Sequence, residues 1–539
     1  MLKHIYRFVY CLIIACCPFT YSANLKLNNT FTVDNIVVIN HSIFDESAKN
    51  TIFIHRWANE LHKTTRKSVI LEHLNFHEGA IIKPKDIDEA QRILRAQPYL
   101  RDAKVYIAQA DPLSDRHSEG KTIVVETWDN WSLLPTINYG RSNGEKKYSI
   151  GVKEDNFIGL GISTRINYQS NRDRSGYLFA ISAPFQLIKH ANVSADFYHN
   201  DDGKRFEFMF EKPFYTLATP FAYSTSYLTD QRTDNFRQNG NIIEQFEHEI
   251  QFINLKFGWL NTQTSRSISR LSLGITKEQH DFESSMNSLQ FQSQRPSRNY
   301  LYPWVGYEYL QDDFKVLTNV RLINQKEDVN LGWYHFLRFG VETEDRASKN
   351  QPGYHLSWQT TKGYSWNNHL WLFNANARAT LGTRLPDYYI MNVQAEYYYQ
   401  ITPKWISYSK IRLTQSNNLP LDLSNTLGDD NGLRGYPDQY LHGDTSWLAT
   451  TELRYIPNIN LYQLADLGWV LFTDIGHVTG GRARLNEENN IAGSIGIGAR
   501  LYSSKSSYGS VAHIDLTYPF TQGTKVGGFE WRFQVRSHF

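Results

Sequence analysis

Cysteine is almost absent. The chain has 539 residues and three cysteines, Cys11, Cys16 and Cys17, all near its start. That excludes a disulfide-held scaffold. A surplus of one charge sign is also missing: Lys and Arg number 56 against 54 for Asp and Glu, so no basic face for nucleic acid is implied. Beyond the first two dozen residues no run reaches the ~18 to 20 apolar positions of a membrane-crossing helix, which excludes a bundle of them. What the chain has in quantity is aromatic side chains, 33 Tyr and 30 Phe among them, 14% in all. Its 41% hydrophobic content is too high for a disordered polypeptide.

Met1–Ala23 has the layout of a secretory signal peptide: basic Lys3 and Arg7, the apolar stretch Phe8–Cys17, then the small pair Ser22 and Ala23. Cleavage is expected after Ala23, with Ser22 as the alternative because Tyr21 is bulky. Ile13-Ile14-Ala15-Cys16 also passes as a lipobox, so lipidation of Cys16 is a second reading. A plain membrane anchor is a third, against which the apolar stretch is too short to span ~30 Å. Loss of this segment removes every cysteine. The remainder is then no cysteine enzyme and no zinc-thiolate protein.

Residues 24–130 mix strand and helix signals and are read as one small domain. Thr32–Asn40 reads as a strand, and Thr51–His62 and Lys67–Leu74 as helices. Pro84 followed by Asp86 and Glu89 reads as a helix start with a capping aspartate, and Ile87, Ala90, Ile93 and Leu94 as its inner face. Ala103–Ala108 and Lys121–Thr127 complete a strand-helix-helix-strand-strand order.

From Trp131 to Phe539 the helical patterns vanish and alternating strands recur. In the last one Phe529, Trp531, Phe533, Val535 and Phe539 share one face, with Glu530, Arg532, Gln534, Arg536 and His538 on the other. Alternation alone also fits a soluble sandwich. Strand lengths suited to a tilted crossing, aromatics at strand ends and an aromatic C-terminus favour a transmembrane barrel. Closure into a barrel also satisfies every backbone group in lipid. The expected fold is an all-β barrel of about sixteen antiparallel strands over 131–539, after a small α+β domain. Nearer twenty strand-like segments are present, the surplus being assigned to hairpins in loops.

Two short motifs stand about forty residues apart: Leu433-Arg434-Gly435-Tyr436 after a polar turn, and Phe472-Thr473-Asp474-Ile475-Gly476 inside a strand. Together with Gly496-Ile497-Gly498-Ala499-Arg500, His513–Phe520 and Glu154–Gly159, they resemble the signature motifs of the BamA/TamA superfamily of outer-membrane insertases and translocases. The residue 24–130 segment is similar to a single POTRA module. The resemblance implies that the Arg434 loop folds into the lumen and that its arginine meets Asp474, with Phe472 and Gly476 on the same strand. It also implies that the Phe529–Phe539 strand carries a C-terminal assembly signal and pairs with the first barrel strand at a seam that opens sideways. The chemistry is independent of the family. An arginine drawn into a barrel keeps its charge and needs a carboxylate matched to its planar fork.

Catalysis finds no support. Ala492–Gly496 lacks the first glycine of a nucleophile elbow, and no metalloprotease, P-loop or dinucleotide motif is present. The 18 His have no spacing that compels a metal site. No cofactor, metal, catalytic residue or nucleic-acid partner is therefore expected. The expected partners are the outer-membrane bilayer, unfolded outer-membrane or exported polypeptides, and a periplasmic or inner-membrane protein through the small domain. The alternative is a passive channel or small-solute transporter.

Overall fold

The computed structural model of the protein describes residues 30–536 apart from 45–52, 109–119, 143–144, 285–295, 349, 489, 507–510, 522 and 524. The expected signal segment and Phe539 lie outside the described residues. A small sheet comes first, built from β1 (Phe31–His41), β2 (Ile81–Ile82), β3 (Leu100–Ile107) and β4 (Gly120–Asp129) in the order β2-β1-β4-β3. Strands β1 and β4 run parallel at its centre, and β2 and β3 lie antiparallel on its edges.

Among the described residues three helices accompany this sheet: α1 (Phe53–Leu61), α2 (Lys67–Glu72) and α3 (Pro84–Arg95). The order is therefore strand-helix-helix-strand-helix-strand-strand, one helix and the short β2 more than the expected strand-helix-helix-strand-strand. Helix α3 buries Ile87, Ala90, Ile93 and Leu94. With Val69 and Ile70 of α2, most of that face meets Val33, Val105, Ile123 and Val125 of the sheet. Its start differs from the expected one. The helix begins at Pro84, and Asp86 sits one turn in, where its carboxylate accepts the Lys83 backbone N–H at 2.7 Å. Proline is at home in a first turn because it needs no N–H partner there, so the helix starts three residues earlier than a cap at Asp86 would place it. Helix α1 turns its buried His55 and Ala58 away from this core, toward Ile43, Phe44, Trp131 and Leu464.

All longer strands that follow close into one antiparallel barrel. Among the described residues the wall has twenty through-going strands, with the two-residue strand Asn460–Leu461 beside one of them. This corrects the expected sixteen. Segments assigned to loop hairpins are wall strands, and they fit because the first six have only 8 to 10 residues each. Two pairs among the described residues do stand apart from the wall: the hairpin Phe314–Thr318 with Lys326–Asn330, and the short pair Thr426–Leu427 with Leu441–His442.

The wall is inside out. Along Val511–Pro519 the apolar Ile514, Leu516 and Tyr518 are 41–43% exposed while His513, Asp515 and Thr517 are buried. Ala465–Thr479 repeats this, exposing Trp469, Leu471 and Ile475 and hiding Asp474. A soluble sandwich shows the opposite preference. Apolar side chains outward and polar ones inward are what lipid outside and a lumen inside demand. A one-residue slip would turn Asp474 or Arg500 toward lipid, at roughly 2–4 kcal/mol for a basic residue at midplane. Register is thereby fixed.

Candidate functional site: a lumen closed from both ends

Residues 418–444 join the wall strands Trp405–Asn417 and Thr445–Tyr455 and fold inward from the end of the barrel far from the small sheet. Leu433, Tyr436, Tyr440 and Leu441 of this loop are buried with Leu448, Val478 and Ala492 of the wall. The backbone reverses at Gly435, where φ is +87° and a Cβ would lie 3.0 Å from Thr517 Cγ2. A non-glycine residue would be strained there whatever the space.

That reversal aims Arg434 at the wall. Its Nε and Nη2 donate to the two Asp474 oxygens at 2.6 and 2.9 Å, and its Nη1 to Glu452 Oε1 at 3.1 Å. The guanidinium lies 3.5 Å over the Phe472 ring. Thr450 donates to Asp474 Oδ1 at 2.8 Å, and Arg454 Nε takes the other Glu452 oxygen at 2.9 Å. Burial opposes the Arg434 charge, but Asp474 and Glu452 outweigh it and hold the proton more firmly than usual. Gly476 lies farther along the Asp474 strand, its Cβ position 3.1 Å from loop residue Leu427. Tyr436 donates to Gly493 O at 2.8 Å and accepts from Gly493 N at 3.0 Å.

The loop also grips both sides of the barrel closure. Arg532 and Gln534 of the last strand, Glu530–Arg536, both donate to Asp429. Lys147 of the second strand, Glu145–Glu154, donates to Asp438 at 3.1 Å. The first strand, Leu133–Ser142, runs between them. Burial, then the nearby Asp438, pushes the Asp430 carboxyl up to about 6. On the outer face of the closure Trp531 stacks on Tyr139 at 6.2 Å. Phe529 and Trp531 are exposed, and Phe533 and Val535 are half-buried.

The opposite end is filled by the separate hairpin, whose turn carries Val320 and Ile323. Both are buried in one cluster with wall residues Leu370, Tyr398, Tyr408, Phe472 and Tyr502. Glu327 holds the turn by accepting the backbone N–H groups of Val320, Arg321 and Leu322. Phe472 is thus common to both ends: the inward loop stacks on its ring, and the hairpin shares its cluster.

Helix α3 and strand β3 of the small sheet hold this hairpin from outside. Arg95 of α3 forms a two-pronged pair with Asp328 at 2.8 and 2.6 Å, and Lys326 meets Asp102 at 2.9 Å. Lys85 pairs with Asp312, and Arg92 lies 4.1 Å over the Phe314 ring. A second joint forms at Glu154–Gly159. Asn156 donates to Thr65 Oγ1 at 2.9 Å, and Arg66 N donates to Gly159 O at 3.0 Å. Thr65 and His62 in turn close on the buried Asp129 at the end of β4. A third joint is His73, between the hydroxyls of Tyr215 at 2.6 Å and Tyr99 at 2.5 Å. Burial, then His190, lowers its pKa to about 4.

The structure therefore brings Leu433, Arg434, Gly435, Tyr436, Phe472, Asp474 and Gly476 into one buried region. Sequence reasoning missed Glu452, Arg454, Asp429 and the whole hairpin clamp. Glu452 and Arg454 did leave a trace, as two opposite charges on one face of an alternating strand.

The sequence profile of a family described as "Haemolysin secretion/activation protein ShlB/FhaC/HecB" matches residues 318–501, from the hairpin to beyond Asp474. No curated protein sequence matches the chain. Solved structures similar to it include BamA from Haemophilus ducreyi lacking POTRA domains 1–3. That likeness has 14% identity and a TM-score of 0.42, over 94% of this chain and 85% of that one. CdiB from Acinetobacter baumannii gives 11% identity and a TM-score of 0.43, over 99% and 96%. The FrpB iron transporter from Neisseria meningitidis gives 9% and 0.41, over 93% and 91%. These identities are too low to carry any residue's role across.

Proposed function

We propose that this chain is an outer-membrane barrel that inserts or exports other polypeptides, without bond chemistry and without a cofactor. Residues 24–130 serve as a periplasmic POTRA domain that receives clients or a partner protein, after loss of a signal peptide over 1–23. The barrel over 131–539 carries the seam. The observation behind this reading is that one inward loop binds the lumenal wall through Arg434 and both flanks of the closure through Asp429 and Asp438. A diffusion pore has no need of a lumen plugged from both ends, whereas a translocator must hold its permeability barrier between clients. The profile match to a secretion family over 318–501 supports the same reading.

In this account the last strand is the moving part. Its described length is seven residues, and Gly527 and Gly528 precede it with open space around their Cβ positions. A client strand would add to the edge exposed when it parts from Leu133–Ser142. The test uses the absence of cysteine after residue 17. A disulfide between Tyr139→Cys and Trp531→Cys locks the closure in proteoliposomes. The locked protein is expected to lose insertion of a urea-unfolded eight-stranded outer-membrane barrel and to regain it with reductant. Full insertion by the quantitatively cross-linked protein would overturn the lateral route.

A further inference from the structure

On another part of the barrel wall, two histidines face each other on adjoining long strands. His248 belongs to Asn241–Gln263 and His280 to Ser267–Ser284. Pairing sets His248 opposite Phe282, so His280 is its diagonal neighbour on the same face. His248 Nε2 and His280 Nδ1 are 2.9 Å apart. The other ring nitrogens are both engaged by carboxylates: His248 Nδ1 with Asp234 at 2.7 Å and His280 Nε2 with Glu278 at 2.9 Å. Arg232 Nε in turn donates to Asp234 at 2.8 Å. Asp422, from the inward loop, places a carboxylate oxygen so that all three ligand atoms lie within 4.8 Å of one another.

The proton inventory of this group is informative. An ionised carboxylate only accepts, so Asp234 and Glu278 each require a hydrogen on the ring nitrogen they face. In neutral rings the two inner nitrogens are then both bare lone pairs, aimed at each other across 2.9 Å. Two lone pairs at that distance need a cation between them. A carboxylate behind each imidazole is the arrangement that orients histidine for a metal and raises its basicity. Phe282 stacks on His248 at 4.3 Å and restricts the ring's rotation. His248 is 2% exposed, and the Asp422 side chain is 4% exposed. Arg298 holds both Asp422 oxygens, at 2.9 and 2.6 Å, and each oxygen retains a second lone pair.

The geometry points to a divalent transition-metal site made by His248, His280 and Asp422. Two imidazoles and one carboxylate favour zinc, nickel or copper over calcium or magnesium. Such an ion would fasten the first limb of the inward loop, Leu421–Leu423, to strands 241–263 and 267–284. The site is independent of the translocation reading. Sequence spacing hides it, because the histidines stand 32 residues apart and meet only through diagonal pairing.

The test is zinc binding by the full-length protein, stripped with chelator and held in detergent at pH 7.5, measured against a chromophoric chelator. One zinc per chain is expected, with X-ray absorption reporting two imidazole nitrogens at about 2.0–2.1 Å. His248→Gln and His280→Gln should each abolish saturable binding. Glu278→Gln should weaken it by about 10- to 100-fold, while His190→Gln should leave it unchanged. Heat-modifiable mobility verifies that each variant barrel is folded. No saturable zinc on the wild-type protein overturns the site, since the inner nitrogens would then share a proton instead. A zinc environment without imidazole, which needs no variant to detect, overturns it equally.

Discussion

Replacing Arg434 by alanine removes three charged hydrogen bonds and the contact over Phe472 in one step. Asp474, fully buried, would keep only the Thr450 hydroxyl among its side-chain partners, and Glu452 would lean wholly on Arg454. Leaving one partner of a desolvated pair unmatched costs about 3–5 kcal/mol, less where lumen water reaches it. At about 1.4 kcal/mol per factor of ten, that is roughly a hundredfold or more in the opening equilibrium of the loop. Hydrogen exchange over residues 428–441 in lipid vesicles reads this equilibrium directly. Arg434→Ala and Asp474→Asn should each raise exchange by about that factor, and the double variant by no more than the worse single one. Arg434→Lys should recover only part, because an ammonium cannot present the fork. Unchanged exchange in Arg434→Ala, or strictly additive losses in the double variant, would refute the reasoning.

Three further outcomes follow from other contacts. Asp328→Asn removes the two-pronged partner of Arg95 and should release the hairpin from α3 at about 1–3 kcal/mol. Faster proteolysis within 314–330, with wall strands still protected, would verify it. Gly498→Ala would place a Cβ 2.1 Å from Asp515 Oδ1, beside the Arg500–Asp515 pair. It should cost about 1–3 kcal/mol and lower the urea midpoint of the folded barrel. Acid should act with opposite signs at two places. His73 is held neutral, its pKa lowered from 6.5 to about 4, so its contribution is present above about 6.5 and fades as pH falls toward 4. Asp430 is raised to about 6, so the loop gains stability as pH falls below that value. Exchange corrected for intrinsic rates should therefore rise around Tyr215 and fall around 428–436 on acidification. His73→Gln and Asp430→Asn should each remove its own half of the effect.

Much of the fold is legible in the sequence because a lipid-facing wall writes itself as alternation. Phe529, Trp531, Phe533 and Val535 announce one face of the last strand without any knowledge of its neighbours. Strand number is less legible. The early wall strands, such as Ser163–Ser170, have only eight residues and leave no clear boundary between wall and loop hairpin. Helix α3 shows how local signals compete. Asp86 is a good capping residue, but Pro84 suits the first turn, so the helix starts earlier and Asp86 satisfies Lys83 N instead.

The candidate site divides the same way. Arg434 and Asp474 stand out because a charged fork beside a glycine and an aspartate in the middle of a largely apolar strand each have one obvious use. Glu452 and Arg454 need the pairing of their strand with Ala465–Thr479 before their place beside Asp474 is visible. Asp429 and Arg532, 103 residues apart, meet only when the barrel closes. The apolar Val320 and Ile323 of the hairpin turn have no local pattern that points to their seat against Tyr398, Tyr408 and Tyr502, which come from distant strands.

The central claim is a lumen closed from both ends, by the Arg434 loop and by the hairpin. Single-channel conductance in planar bilayers tests it most directly, comparing wild type, Arg434→Ala, a deletion of residues 314–330, and the two changes combined. Low, noisy conductance in wild type, partial opening in each single change and a large steady current in the combination is the predicted result. A large steady current through the wild-type protein would contradict the account and establish an open channel.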